Sequence, residues 1–348
     1  MEPSSYLSRY LEAAYLRDHP DLTEGARAML HAQLATQPER YATDDHARAL
    51  VSYTNLHARL HRELIRMDEL GDEQFETSIM RLFDAMQHDV QRIYHADARC
   101  YDARLLDILL TDAPIDERMP HLLDLERDAR AFLDQALPAF DGSRTPCWMG
   151  PVDTEAEPRT DAADANVSGD LYLPELVGWL HTLEALAFEC MAAARYRAAA
   201  RYARAVHRTP GYRSLAVGTL LLCLARLEDE QGFFDAAREA GPEIEGTPWF
   251  LLGRTLLLYK LDHMRSATRA LREFTARCEG GAFFLLNPTY HDPYLPNRPP
   301  AREAWELSHQ AVWEADAIIV DTPDFTTWAM GVDGVEDAAR SFAERRGF

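Results

Sequence analysis

Chain-breaking residues constrain this fold most. The 348 residues include only 17 glycines, and the 19 prolines gather mainly near 146–158, 242–248 and 288–300. Tracts such as 44–70 contain neither residue type. A many-stranded sheet needs turn residues every ten or so positions, so the chain reads as helical. The apolar residues agree. Leu50, Tyr53, His57, Leu60, Leu64 and Met67 recur in steps of three and four, with Asp44 or Asp45 as cap. A second stripe follows Gly71-Asp72: Phe75, Ile79, Leu82, Met86, Val90 and Ile93. So short a link makes the two helices antiparallel neighbours. Further helices are expected at 4–36, around Tyr101–Leu109 and over 115–136.

Residues 139–170 break this rhythm with an acidic, proline- and glycine-bearing loop or linker, in which Cys147-Trp148-Met149 is an apolar island that pins the loop or forms a flap. Helices resume over 171–278. One of them, Tyr212–Leu227, is apolar almost throughout.

The formal net charge is −21, which repels phosphate backbones and argues against nucleic acid. The arginine run 195–208 lies among alanines and reads as a solvated helix face. A basic peptide or protein face suits the field better. Lys260 is the single lysine, and no phosphate-binding glycine loop is present. Five widely spaced cysteines without C-x-x-C point to a reducing compartment. With no signal-peptide pattern and no apolar tract long enough for a bilayer, a cytoplasmic location and no membrane partner are expected.

Ala198-x3-Tyr202-x2-Ala205-x4-Pro210 matches the second half of the tetratricopeptide (TPR) consensus, and Trp249-x2-Leu252-Gly253 matches the first half of a later unit. The C-terminal third carries Asn287-Pro288, Asp292-Pro-Tyr-Leu-Pro296, Ala304, Trp305, Ala311, Trp313, Thr322-Pro323 and Phe325-x2-Trp328. It resembles the closing segment of a TPR-like family of largely uncharacterised bacterial proteins and, more distantly, that of suppressor-of-tumorigenicity proteins. Trp148 is followed by the acidic insert, and Asp170-Leu-Tyr-Leu-Pro-Glu-Leu176 stands where that family has R-P-Y-M-R.

The resemblance implies an all-α fold: a degenerate TPR-like α-solenoid with an N-terminal helical bundle and a C-terminal helical cap. The expected divisions are 1–70, 71–138, the loop 139–170, helix pairs 171–278 and the cap 279–348. It implies a non-catalytic scaffold for a protein or peptide partner, and Arg213 and Arg254 are candidates for its groove. The alternatives are a metal-dependent enzyme using His57, His61, His88 and His95, or a structural homo-oligomer. His57 and His61 share one helix face, yet His57 also continues the apolar stripe and reads as a hydrogen-bonded core histidine. Asp112 with Asp116, and Asp321 with Asp324, are paired carboxylates that read as helix caps, with Thr322 or Asp324 capping the helix of Phe325 and Trp328. No catalytic residue, cofactor or metal is assigned. Phe283-Phe-Leu-Leu286, Trp305, Trp313 and Trp328 are expected to close the end of the stack.

Overall fold

The computed structural model describes all residues except 68–69, 112, 138–139, 143, 145–146, 149–172, 213 and 289–300. Most of the acidic loop, Met149, Arg213 and Asp292–Pro296 therefore lie outside the described residues. Among the described residues there are seventeen α-helices and no strand, only an isolated bridge between Phe140 and Trp148. The all-helical expectation holds. Two compact units divide the chain: Met1–Ala185 with Arg208–Arg213 and Pro296–Pro299, and Leu186–His207 with Ser214–Leu295 and Pro300–Phe348.

The first unit contains α1 (Pro3–Asp18), α2 (Glu24–Thr36), α3 (Asp45–Met67), α4 (Asp72–Ala96), α5 (Tyr101–Leu110) and α6 (Ile115–Ala136). It also holds Pro174–Ala185 of α7 (Pro174–Ala192). Helices α3 and α4 pack together as the short Gly71 link requires, and α1 packs on α3. Asp44 Oδ1 accepts the Ala47 amide at 2.7 Å and caps α3. Apolar residues two turns apart, such as Tyr53 and Leu60 of α3 and Met86 and Ile93 of α4, are buried. Gly178 is required by close packing: a Cβ there would lie 2.8 Å from Cβ of Tyr101. Trp148 of the apolar island is fully buried, whereas the rest of the flap question falls outside the described residues.

The second unit begins with the end of α7 and continues through α8 (Tyr196–His207), α9 (Ala216–Arg226), α10 (Glu230–Ala240), α11 (Pro248–Lys260) and α12 (Met264–Arg277). The turns leaving α7, α9 and α11 are the same. Ala194, Glu228 and Asp262, 34 residues apart, adopt positive φ of 54°, 58° and 58°. The next amide bonds back five residues each time: Arg195 to Cys190 at 2.7 Å, Asp229 to Leu224 at 3.0 Å and His263 to Leu258 at 2.9 Å. This is the Schellman arrangement, which satisfies the helix-end carbonyls and reverses the chain. Helices α8, α10 and α12 accordingly start at 196, 230 and 264.

Helices α9 and α11 pack on each other, while α8 and α10 pack on α9 and α12 packs on α11. Gly218 of α9 lets Trp249 of α11 approach so closely that a Cβ would meet the indole at 2.5 Å. From Ala216 to Ala225 every residue of α9 is buried, and α11 has no exposed residue. A helix that is apolar all round must be covered on all sides. The outer helices leave one face to solvent, with Arg197 and Arg201 on α8 and Arg265 and Arg269 on α12 exposed. The buried stripe of α8 is Ala199, Ala203 and Val206. Ala198, Tyr202 and Ala205 are half-buried beside it, and Pro210 is exposed.

The remaining helices are α13 (Gly281–Leu286), α14 (Ala304–Glu314), α15 (Asp316–Val320), α16 (Phe325–Met330) and α17 (Val335–Arg346). Helices α13 and α17 pack together and against α12, whereas α14 packs on α11. The aromatic residues expected in a single end cap divide among three places. Trp305 joins Phe284, Phe342 and Phe348; Trp313 stacks on Phe188 at 4.9 Å; Trp328 meets Tyr259 at 4.8 Å. The cap expected at Thr322 or Asp324 does not form. The Thr322 hydroxyl instead donates to the Ile318 carbonyl at 2.7 Å, and Asp324 makes no side-chain cap bond.

Candidate functional site

Two groups of polar side chains are built into the molecule, one in each unit. In the first unit Asp102 opens α5 and is 4% exposed. It accepts the Tyr6 hydroxyl from α1 at 2.8 Å and pairs with His181 Nδ1 from α7 at 2.8 Å. Burial alone would raise the Asp102 pKa, but the His181 charge and the bonds from His181 and Tyr6 outweigh it and hold the carboxyl below its ordinary value. A parallel group joins α3 to α7. His46 Nδ1 lies 2.6 Å from Asp97, and its Nε2 lies 3.4 Å from Glu175. Burial, partly offset by His46, raises the Glu175 pKa.

His57 and His61 occupy successive turns of α3, with ring centroids 4.1 Å apart. Glu2, just before α1, brings its Oε2 to 3.8 Å from His57 Nδ1. One donor atom from each of the three lies within 4.8 Å of the others. His57 is 5% exposed, the core position expected from its place on the apolar stripe, and the Glu2 carboxylate 3.8 Å away stands beyond hydrogen-bond length. Burial and the neighbouring His61 lower its pKa to about 3. His88 and His95 do not join this group. Each lies two positions beyond a buried residue of α4, Met86 and Val90 bracketing the first and Ile93 preceding the second, and both are exposed. Glu2 was invisible as a partner because it is 55 residues away in sequence from His57 and belongs to no motif.

A groove of about 750 Å³ also runs along α3 and α4, lined by Arg48, Arg59, Arg62 and Arg92. Its charges are largely paired internally: Arg48 with Asp45 at 2.6 Å, and Arg59 and Arg92 with Asp89 at 2.5 and 2.6 Å.

The second unit's polar group sits where α14 covers the inner helices. Glu314 is 9% exposed. Its Oε2 accepts the Trp249 indole N–H at 2.9 Å and the Thr219 hydroxyl at 3.2 Å, and its Oε1 accepts Gln310 Nε2 at 3.0 Å. Further along, Tyr259 donates to the Pro323 carbonyl at 3.1 Å, and Arg226 pairs with Asp321. The segment 304–323 is thereby tied to α9 and α11. Trp249, Leu252 and Gly253 of α11 are all buried. Gly253 faces Phe233, whose ring a Cβ would meet at 3.1 Å.

The guanidinium of Arg254, a candidate for the groove, pairs with Glu273 of α12 at 2.5 Å and lies over the Phe250 ring at 5.4 Å. Arg213 falls outside the described residues. The five cysteines are free and buried, and burial lifts the Cys147 thiol to about 11 and those of Cys223 and Cys278 to about 12. None of these three is a thiolate near neutral pH. Among the described residues no helix is long and apolar enough to cross a membrane. Comparison with protein families, with curated proteins and with solved structures finds no match to this chain.

Proposed function

We propose that the protein is a non-catalytic scaffold of TPR type that binds a protein or peptide partner. The observation that supports this reading is the recurrence every 34 residues of one turn, one positive-φ residue and one outer-helix start. Thirty-four residues is the TPR period, and stacked pairs of that kind present an inner surface to ligands. Helix α14 lies on α11 here, with Glu314 reaching both α9 and α11. The chain's own helix thus indicates what such a surface accepts: a helical segment with apolar side chains and an acidic group that takes hydrogen bonds from an indole and a hydroxyl.

Affinity purification of the full chain, followed by cross-linking of any stoichiometric complex, tests the reading. A discrete protein partner cross-linked to α8–α12 is expected. Absence of any stoichiometric partner, or cross-links confined to the first unit, would overturn it.

A further inference from the structure

We propose that Glu2, His57 and His61 form a binding site for a transition-metal dication. This inference is independent of the scaffold reading, because all three residues belong to the first unit.

The argument begins with α3. Histidines four residues apart stand one above the other on a helix, and two imidazoles so placed can chelate one ion. Here the rings are 4.1 Å apart. A third donor comes from a distant part of the sequence, since Glu2 Oε2 stands 3.8 Å from His57 Nδ1. The three donor atoms lie within 4.8 Å of one another. Bonds of about 2.0–2.2 Å in a tetrahedral site set donors roughly 3.3 Å apart. A small rotamer change closes that gap, and the Glu2 side chain, 48% exposed, is free to make it.

The second observation is the state of His57. A buried polar ring normally finds a hydrogen bond, and an exception calls for an unseen water or ion. His57 is 5% exposed, and the group drawn up to it, the Glu2 carboxylate, stands 3.8 Å from Nδ1, beyond hydrogen-bond length. Nearby Asp102 favours positive charge at this location.

Donor chemistry selects the class of ion. Two imidazoles and one carboxylate suit Zn²⁺, Co²⁺, Ni²⁺ or Cu²⁺, whereas Mg²⁺ and Ca²⁺ prefer all-oxygen sites. Three protein ligands leave a fourth position for water or an exchangeable group.

The test is calorimetric titration of untagged, chelator-treated full chain with zinc chloride, with circular dichroism to verify that each variant is folded. One equivalent should bind the unaltered chain, and Mg²⁺ should not compete. His61→Ala should abolish stoichiometric binding. Glu2→Gln should weaken it by about tenfold or more, given that even outer-shell partners are worth about 10–100-fold. His88→Ala and His95→Ala should bind as the unaltered chain does. No stoichiometric uptake by the unaltered chain would overturn the proposal. So would undiminished uptake by folded His61→Ala and Glu2→Gln, or loss on changing His88 or His95.

Discussion

The two units bury polar groups in different ways. In the first, charged and titratable side chains meet one another: Asp102 with His181, and His46 with Asp97 and Glu175. In the second, the buried Glu314 carboxylate accepts bonds from an indole, a hydroxyl and an amide. The first unit is irregular in sequence, and its polar residues come from α1, α3, α5 and α7. The second repeats one turn every 34 residues around apolar inner helices. The contrast shows that a repeated backbone does not require repeated polar chemistry: Glu314 comes from outside the repeating pairs and serves two inner helices at once. Acid should therefore act on the first unit through these pairs, and cavity formation at an inner helix should challenge the second.

The largest effect is expected from Trp249→Ala. Trp249 is 1% exposed, and its removal opens a cavity against Gly218 while taking a donor from Glu314. The cost should be about 4–5 kcal/mol. Hydrogen exchange should show lost protection in α9, α11 and α14. Equal loss throughout the first unit would break the contrast.

Acidification comes next. His57 has a folded pKa of about 3 against an ordinary value of 6.5. Between those values the unfolded chain binds the proton more readily, so stability is highest above 6.5 and falls as pH drops through the window. Each unit of difference is worth about 1.4 kcal/mol, giving roughly 5 kcal/mol over the whole window. Glu175, whose pKa is raised, acts in the opposite sense, since its contribution is present at low pH and lost as pH rises through the folded value. Urea unfolding of the parent and His57→Gln at several pH values separates them. The difference in slope between pH 6.5 and 4 should belong to His57, and parallel curves would remove its role.

Ala194→Gly sharpens the repeat side of the comparison. Ala194 has φ of 54°, a conformation that costs an L-residue roughly 1–2 kcal/mol and glycine nothing, while glycine's freer unfolded state returns part of that gain. A net stabilisation of about 0.5 kcal/mol is expected in thermal unfolding, and Glu228→Gly and Asp262→Gly should behave alike. Unequal signs would mean that the three turns are not equivalent.

Arg254→Ala should have the smallest effect. Its pair with Glu273 is partly exposed on both sides, and pairs of that kind are worth about 0–1 kcal/mol. Chemical denaturation should place the variant within about 0.5 kcal/mol of the parent, after allowing for the lost contact with Phe250.

Helix positions were legible in advance because they depend on local periodicity and breakers. The α3–α4 hairpin, the α6 limits and the all-apolar α9 follow directly from the residues that form them. The 34-residue rhythm was only half legible. Its best sequence match ran through Ala198, Tyr202 and Ala205, whereas the most buried stripe of α8 lies one residue further on, at Ala199, Ala203 and Val206. In an alanine-rich helix, neighbouring registers offer nearly the same small side chains, so composition alone does not separate them. Glu228 and Asp262 share a carboxylate but Ala194 does not, so the equivalence of all three exists only in the backbone.

The candidate sites were less legible for the same reason. His57 and His61 form a pair because both sit on one helix, and a period of 3.6 residues determines that from sequence. Whether Glu2 or the histidines of α4 complete the group depends on how α1 and α4 pack against α3, which no local pattern encodes. Arg254 was a groove candidate on repeat phase alone, whereas its pair with Glu273 of α12 depends on how two helices pack. Sequence by itself determined that this chain is helical, where most of its helices up to Arg277 run, and that α9 must be covered on every side. Tertiary structure decided what covers it, which acid meets which base, and which donors converge, because those outcomes depend on contacts between segments far apart in the chain.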